Sequence, residues 1–106
     1  MSKYNNIKTK VDGIMFDSKK EAARYGVLKL LEKKKKIFNL KLQPKFPIAV
    51  NGEKICTYIA DFSYSDMVPN GAGYDVVEDV KGVKTAIYRL KKKLVKAVYG
   101  IDIQEV

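Results

Sequence analysis

Residues 74–82, YDVVEDVKG, read as one extended strand closed by Gly82. Side chains in a strand alternate, so Asp75, Val77, Asp79 and Lys81 share one face, while Val76, Glu78 and Val80 share the other. Asp79 and Lys81 then project into the same space. A carboxylate that can ligate a hard cation, beside an ammonium next to an attacking water, is the pairing that metal-assisted hydrolysis of a phosphodiester uses. Alone, D-x-K is common by chance, and charges two apart on a strand ordinarily form an exposed ion pair.

The distribution of charge adds weight. The chain carries a formal charge of +9, yet from Asp61 to Asp79 its only charged residues are Asp61, Asp66, Asp75, Glu78 and Asp79. A basic protein that binds a polyanion has no electrostatic reason to gather carboxylates, unless a cation neutralises them there. The 106 residues suit one domain, 1–106, with a mobile basic arm over 1–6. The sequence contains no histidine and a single cysteine, Cys56, which on this reading excludes zinc sites, His-based triads and an internal disulfide. A metal would be held by oxygens, which favours Mg²⁺, with Mn²⁺ as a substitute. No apolar run approaches a membrane span and the N-terminus lacks a signal-peptide core, so the expected setting is cytoplasmic, with no membrane partner.

Along the chain, Asp12-Gly13 within IKTKVDGIMF (7–16) predicts a tight hairpin. Ser18 and Glu21 fit a capping box that opens a helix, with Ala23, Val27, Leu30 and Leu31 as its apolar stripe. Gly26 inside that helix suggests a close helix-to-sheet contact. LKLQPKFPIAV (40–50) alternates like an edge strand interrupted by Pro44 and Pro47. Asn51-Gly52 turns it into KICTYIADFSY (54–64), where Ile55, Thr57, Ile59 and Asp61 fall on one face. DMVPNGAG (66–73) reads as a loop. A second helix spans Lys84 to Tyr99 with Ile87, Leu90, Leu94 and Val98 as its stripe and six basic residues, until Gly100 stops it before a final strand. The order is hairpin, helix, three strands, helix, strand, an α/β arrangement with a mixed central sheet flanked by helices.

FDSKKEAARY (16–25), LQPKF (42–46), YIADF (58–62) and VEDVKG (77–82) together resemble the PD-(D/E)XK nuclease superfamily, and within it a family of small phage and prophage proteins. The resemblance spans nearly the whole chain and implies a restriction-endonuclease-like core. It implies that Asp61 and Asp79 are the acidic metal ligands, that the backbone carbonyl of Val80 is a further ligand, and that Lys81 orients water. Ala60 stands where the superfamily nominally has proline. Glu21 matches a helix-borne acid that several of these nucleases bring to the same metal, and Gln43 a polar residue that some members add.

Read from the residues alone, Glu21 completes the capping box, and Asp61 is a strand-end residue bonded to backbone. Glu78 lies on the opposite face from Lys81 and is assigned a structural ion pair with a helix lysine. In the second helix, Lys84, Tyr88, Arg89, Lys91 and Lys92 present a mixed aromatic and basic surface for nucleic-acid backbone. The resulting expectation is a Mg²⁺-dependent endodeoxyribonuclease that leaves 5′-phosphates, a product the resemblance implies. By analogy it acts on branched DNA or Holliday junctions in phage recombination, in the bacterial host cytoplasm. One site per small chain calls for a homodimer to cut both strands. Other phage DNA-processing proteins are further partners. Two alternatives stand beside this reading: a non-catalytic basic nucleic-acid-binding protein, and a nuclease subunit active only within a larger complex.

Overall fold

The computed structural model describes residues 8–67, 73–80 and 84–106. Two tight turns set its hairpins. Asp12 and Gly13 (φ 52° and 76°) join β1 (Thr9–Val11) to β2 (Ile14–Phe16), and Asn51 and Gly52 (φ 51° and 79°) join β4 (Lys45–Val50) to β5 (Glu53–Ile59). Two successive positive φ angles match the twist of paired strands, and asparagine, aspartate and glycine are the residues that adopt them with least strain.

The two strands expected over 40–50 and 54–64 are each divided. β3 (Ile37–Leu42) gives way to β4, and β5 to β6 (Phe62–Met67). The pairs Leu42↔Phe62 and Lys45↔Ile59 keep one register across the break, so β3–β4 and β5–β6 form a single long antiparallel ribbon with a bend in it. The bend has a local cause. Gln43 takes φ 51° and Pro44 offers no amide, so regular pairing stops there. Two bonds hold the ribbon together through the bend: Gln43 N donates to Asp61 O at 2.9 Å, and Ala60 N to Pro44 O at 3.1 Å.

β6 pairs with β7 (Gly73–Asp79), and β7 pairs in parallel with the two-residue β8 (Gln104–Glu105), giving a mixed sheet in the order β3-β6-β7-β8. The expected loop over 66–73 is shorter than predicted. Asp66 and Met67 belong to β6 and Gly73 to β7, and the rest lies outside the described residues, as do the basic arm and Lys81.

Helix α1 (Lys19–Lys33) starts where Ser18 Oγ accepts from Glu21 N at 3.1 Å. Its buried side is Glu21, Ala22, Tyr25 and Leu28; of the predicted stripe Leu31 is partly buried against that core, whereas Ala23, Val27 and Leu30 are exposed, the last two by about half. Tyr25 packs on Phe16 with ring centroids 4.9 Å apart, which anchors the helix on that side, in a core with Phe62 and Tyr64. Helix α2 (Ala86–Tyr99) is capped by Thr85 and ends at Gly100 (φ 71°). It packs Tyr88 and Val95 into a second core with Ile48, Tyr58, Val77 and Ile103, and leaves Ile87, Leu90 and Val98 of its predicted stripe exposed. On β5 the inward residues are Tyr58 and Ala60, while Ile55 and Ile59 are outside. No helix among the described residues is long and apolar enough to cross a membrane.

Gly26 makes no close contact: a Cβ built there meets nothing within 4 Å. Gly26→Ala therefore removes a helix-interior glycine without a clash and is expected to stabilise the protein by about 1 kcal/mol. The urea midpoint should rise with an unchanged slope.

Candidate functional site

The site is built at the last rung between β6 and β7, Phe62↔Glu78, with Asp61 one residue before it and Asp79 one residue after it on the other strand. Alternation sends Glu78 and Asp79 to opposite faces. Glu78 is 2% exposed and turns toward α1, where Arg24 grips it with two hydrogen bonds, Nε to Oε1 at 2.8 Å and Nη2 to Oε2 at 2.6 Å. The Tyr64 hydroxyl donates to the same Oε2. The structural pairing expected for Glu78 is present, but its partner is an arginine, whose planar fork matches a carboxylate better than an ammonium does. The hydrogen bond to Glu78 is the main cause that raises the pKa of Arg24; burial first, then Glu78, raises that of Tyr64.

Asp79, 1% exposed, faces the other way, and the Tyr58 hydroxyl donates to its Oδ2. Asp61 is fastened at three points. Its carboxylate accepts from Val80 N at 2.7 Å, its amide donates to Glu78 O at 3.2 Å, and its carbonyl accepts from Gln43 N. Glu105 stands beside Asp79 in the parallel pairing, and accepts from the Tyr88 hydroxyl at 2.7 Å, with Lys84 and Lys92 at 3.2 and 3.4 Å. Tyr88 itself is buried, its ring 6.4 Å from that of Tyr58. Burial is the largest cause raising the Tyr88 pKa, followed by Glu105 and then by the charges of Asp79 and Asp61. Both aspartates therefore lie close enough to one hydroxyl to act on it. Glu105 is pulled down to about 2, chiefly by the Tyr88 hydrogen bond and then by the two lysines, against the effect of burial.

The structure thus brings Asp61 and Asp79 to one strand end, with the Val80 backbone between them. Glu21 is buried in the first turn of α1, the helix that packs on the Glu78 side of the sheet. Among the described residues no three acidic, histidine or cysteine side chains stand together as an ion-holding group. Gln43 sits at the ribbon bend beside Asp61, joined to it through its backbone rather than its side chain. Of the predicted polyanion contacts, Tyr88 is not a surface residue; its ring is core and its hydroxyl belongs to Glu105. Lys91 reaches Thr57 O at 3.4 Å. Lys84, Arg89, Lys92, Lys93 and Lys96 line one groove of about 550 Å³ with Glu105 and Asp102. Lys84 and Lys92 pair with Glu105 and Lys96 with Asp102, whereas Arg89 and Lys93 make no ion pair among the described residues.

Sequence reasoning missed Arg24, Tyr58, Tyr64 and Glu105. Tyr58 carried a usable signal, since it precedes Asp61 by three residues and alternates with Cys56 and Ala60 onto the inner face. Glu105 carried none, because its partners come from a helix and a strand whose packing was not legible.

The architecture is that of an α/β protein, with two helices against a mixed sheet and buried acids at the end of an interior strand. The chain belongs to the family described as "Protein of unknown function (DUF1064)", whose model matches residues 1–104. No curated protein and no solved structure matches it.

Two measurements check this geometry. Arg24→Met leaves a buried carboxylate without its cation and is expected to cost on the order of 3 kcal/mol in urea denaturation, most of it recovered in Arg24→Met/Glu78→Met. Tyr88→Phe removes the main cause of the low Glu105 pKa. By carboxyl NMR titration, the Glu105 midpoint should climb from about 2 toward the ordinary 4.5. Since the native value is depressed, the stabilisation linked to Glu105 is present above 4.5 and is lost as pH falls toward 2.

Proposed function

We propose that this protein is a metal-dependent endodeoxyribonuclease of the PD-(D/E)XK type, directed to branched DNA such as four-way junctions and serving phage recombination or DNA processing. The observation that carries the reading is the approach of two aspartates, Asp61 and Asp79, from different strands to one sheet end beside a helix with cations on its outer side. An ordinary strand-end aspartate explains Asp61 but not the burial of Asp79 next to it.

The donor set fits Mg²⁺. It consists of two carboxylates and the Val80 carbonyl, without imidazole or thiolate, and Mg²⁺ is commonly held by one or two carboxylates, with waters and substrate phosphate filling the rest. When bound, the ion polarises the scissile phosphate and lowers the pKa of a coordinated water. The chain's own residues supply the remainder. The Val80 amide fixes the direction of the Asp61 carboxylate, and the Tyr58 hydroxyl does the same for Asp79. Lys81, assigned by its place in the D-x-K motif, holds the attacking water and offsets charge that grows on the phosphate. Arg89 and Lys93, which make no ion pair among the described residues, are the cations best placed to take backbone phosphates.

A second reading has its own support. Asp79 is already engaged by Tyr58, and no third acid completes an ion-holding group among the described residues, as suits a nuclease fold retained as a non-catalytic nucleic-acid binder. Cleavage of supercoiled plasmid and of synthetic four-way junctions separates the two. On the enzyme reading, Mg²⁺ supports cutting, EDTA abolishes it, and Asp79→Asn, Asp61→Asn and Lys81→Ala each lower the rate by ~10²-fold or more with the fold intact. DNA binding without metal-dependent cutting of any form would leave the binder.

A further inference from the structure

The cations that line the groove beside α2 are not equally free to meet an anion. Lys84 and Lys92 converge on one carboxylate, Glu105, with Nζ 3.2 Å from Oε1 and 3.4 Å from Oε2 respectively. A carboxylate between two ammoniums stands where a phosphate would stand, and this one is anchored. Its Oε2 also accepts from the hydroxyl of the buried Tyr88 at 2.7 Å, its backbone pairs with Asp79 in β7, and the next amide, Val106 N, donates to Asp79 O at 3.0 Å. A lysine that leaves Glu105 gives up a charge-assisted contact to an acid that cannot follow it. Lys96 is held differently. Its partner Asp102 accepts from it alone among the described ion pairs, and both side chains are about two-thirds exposed, so water screens the pair. Arg89 and Lys93 make no ion pair among the described residues.

We infer that Glu105 limits how tightly the groove grips DNA: it keeps Lys84 and Lys92 occupied as a built-in substitute for phosphate and leaves the backbone contacts to Arg89, Lys93 and Lys96. Sequence-independent affinity for DNA grows with the number of phosphates that cations neutralise, because each neutralised phosphate releases condensed counterions. Two lysines withheld from that count weaken the grip, and the charge of Glu105 itself repels a phosphate brought to the Asp79 end of the groove. Ordinary duplex, which offers this groove little besides phosphates, is then bound loosely. The sequence counts Lys84 and Lys92 among the phosphate contacts; the geometry assigns them instead to an acid from the last strand. This role of Glu105 rests on the groove being a nucleic-acid surface, in the nuclease and in the non-catalytic binder alike.

Fluorescence anisotropy with a labelled DNA duplex in EDTA, repeated over a range of salt concentrations, tests this without cleavage. Glu105→Gln keeps an oxygen for the Tyr88 hydroxyl and removes the charge. With an unchanged far-UV circular dichroism spectrum, it should bind more tightly, and its slope of log affinity against log salt should steepen by ~1.8, that is ~0.9 for each lysine released. Glu53→Gln, at an exposed acid that opens β5, makes the same change in net charge and should leave the slope as it is. Lys84→Ala and Lys92→Ala should leave the wild-type slope unchanged, but each should flatten that of Glu105→Gln by ~0.9; Lys93→Ala should flatten both. In the wild type, NMR of the lysine Nζ groups should show Lys93 shifting as duplex is added while Lys84 and Lys92 stay with Glu105, a readout that no variant's folding affects. An unchanged slope in Glu105→Gln overturns the inference, as do Lys84→Ala and Lys92→Ala variants that flatten the wild-type slope as Lys93→Ala does. Failure of both wild type and Glu105→Gln to bind duplex overturns it together with the nucleic-acid reading of the groove. A steepened slope in a protein that never cuts DNA keeps this role for Glu105 and removes the nuclease, and Mg²⁺-dependent cutting with an unchanged slope does the reverse.

Discussion

Burial of carboxylates at the end of β7 is the constraint around which the molecule is arranged. An ionised carboxylate taken out of water is strongly destabilising unless it is paired and hydrogen-bonded. Glu78 and Asp79 are adjacent, both nearly inaccessible, and on opposite faces of the sheet, so each face must supply its own compensation. The α1 face supplies the Arg24 fork and Tyr64; the α2 face supplies Tyr58. Helix α1 is thus tied to Glu78 through Arg24, while Asp79 is held from β5 by Tyr58, and each side is stabilising only while its own partners remain. Such a pair contributes orientation more than net stability, since apolar residues of equal volume would often serve the fold as well.

The ribbon bend gives Asp61 its place. Had β5 and β6 run straight through, alternation would have set Asp61 in the row of Ile55 and Ile59, which is exposed. The break at Gln43-Pro44 allows the ribbon to turn, the Asp61 carbonyl and carboxylate accept from Gln43 and Val80, and the side chain comes to the strand end beside Asp79. A proline that lacks one donor and a glutamine in a left-handed conformation therefore position an acid on the facing strand.

Much of this was legible in the sequence where a local rule dominates. The Asp12-Gly13 and Asn51-Gly52 turns, the Ser18 cap and the Gly100 stop depend on φ and on hydrogen bonds within a few residues, and they fall where the residues place them. The separation of Glu78 from Asp79 followed from alternation alone. The helix faces depart from the pattern because the most hydrophobic stripe of each helix is not the buried one. Leu30 and Ile87 lost to Tyr25 and Tyr88, whose rings pack in the cores while their hydroxyls reach Asp12 and Glu105. Aromatic side chains with a polar tip join a core to a polar edge. An apolar count gives them no such weight. Glu105 was invisible for a related reason, since its partners converge only once α2 is docked.

The exposed stripe of α2 has a physical cause. A helix whose most apolar stripe faces solvent, while a mixed aromatic side faces the core, is not explained by apolar burial alone, which would have favoured the opposite rotation. What resists that rotation is visible in the contacts. Tyr88 holds Glu105, Glu105 holds Lys84 and Lys92, and turning Ile87 inward would break that set and carry the groove-lining cations away from the acids at the strand end. The orientation of α2 is thus determined by polar contacts at its first two turns, and the exposed stripe is a consequence. A basic surface next to concentrated acids and an apolar surface next to both arise from the same docking angle. Any account of what this chain binds has to respect that the three sides cannot be moved independently.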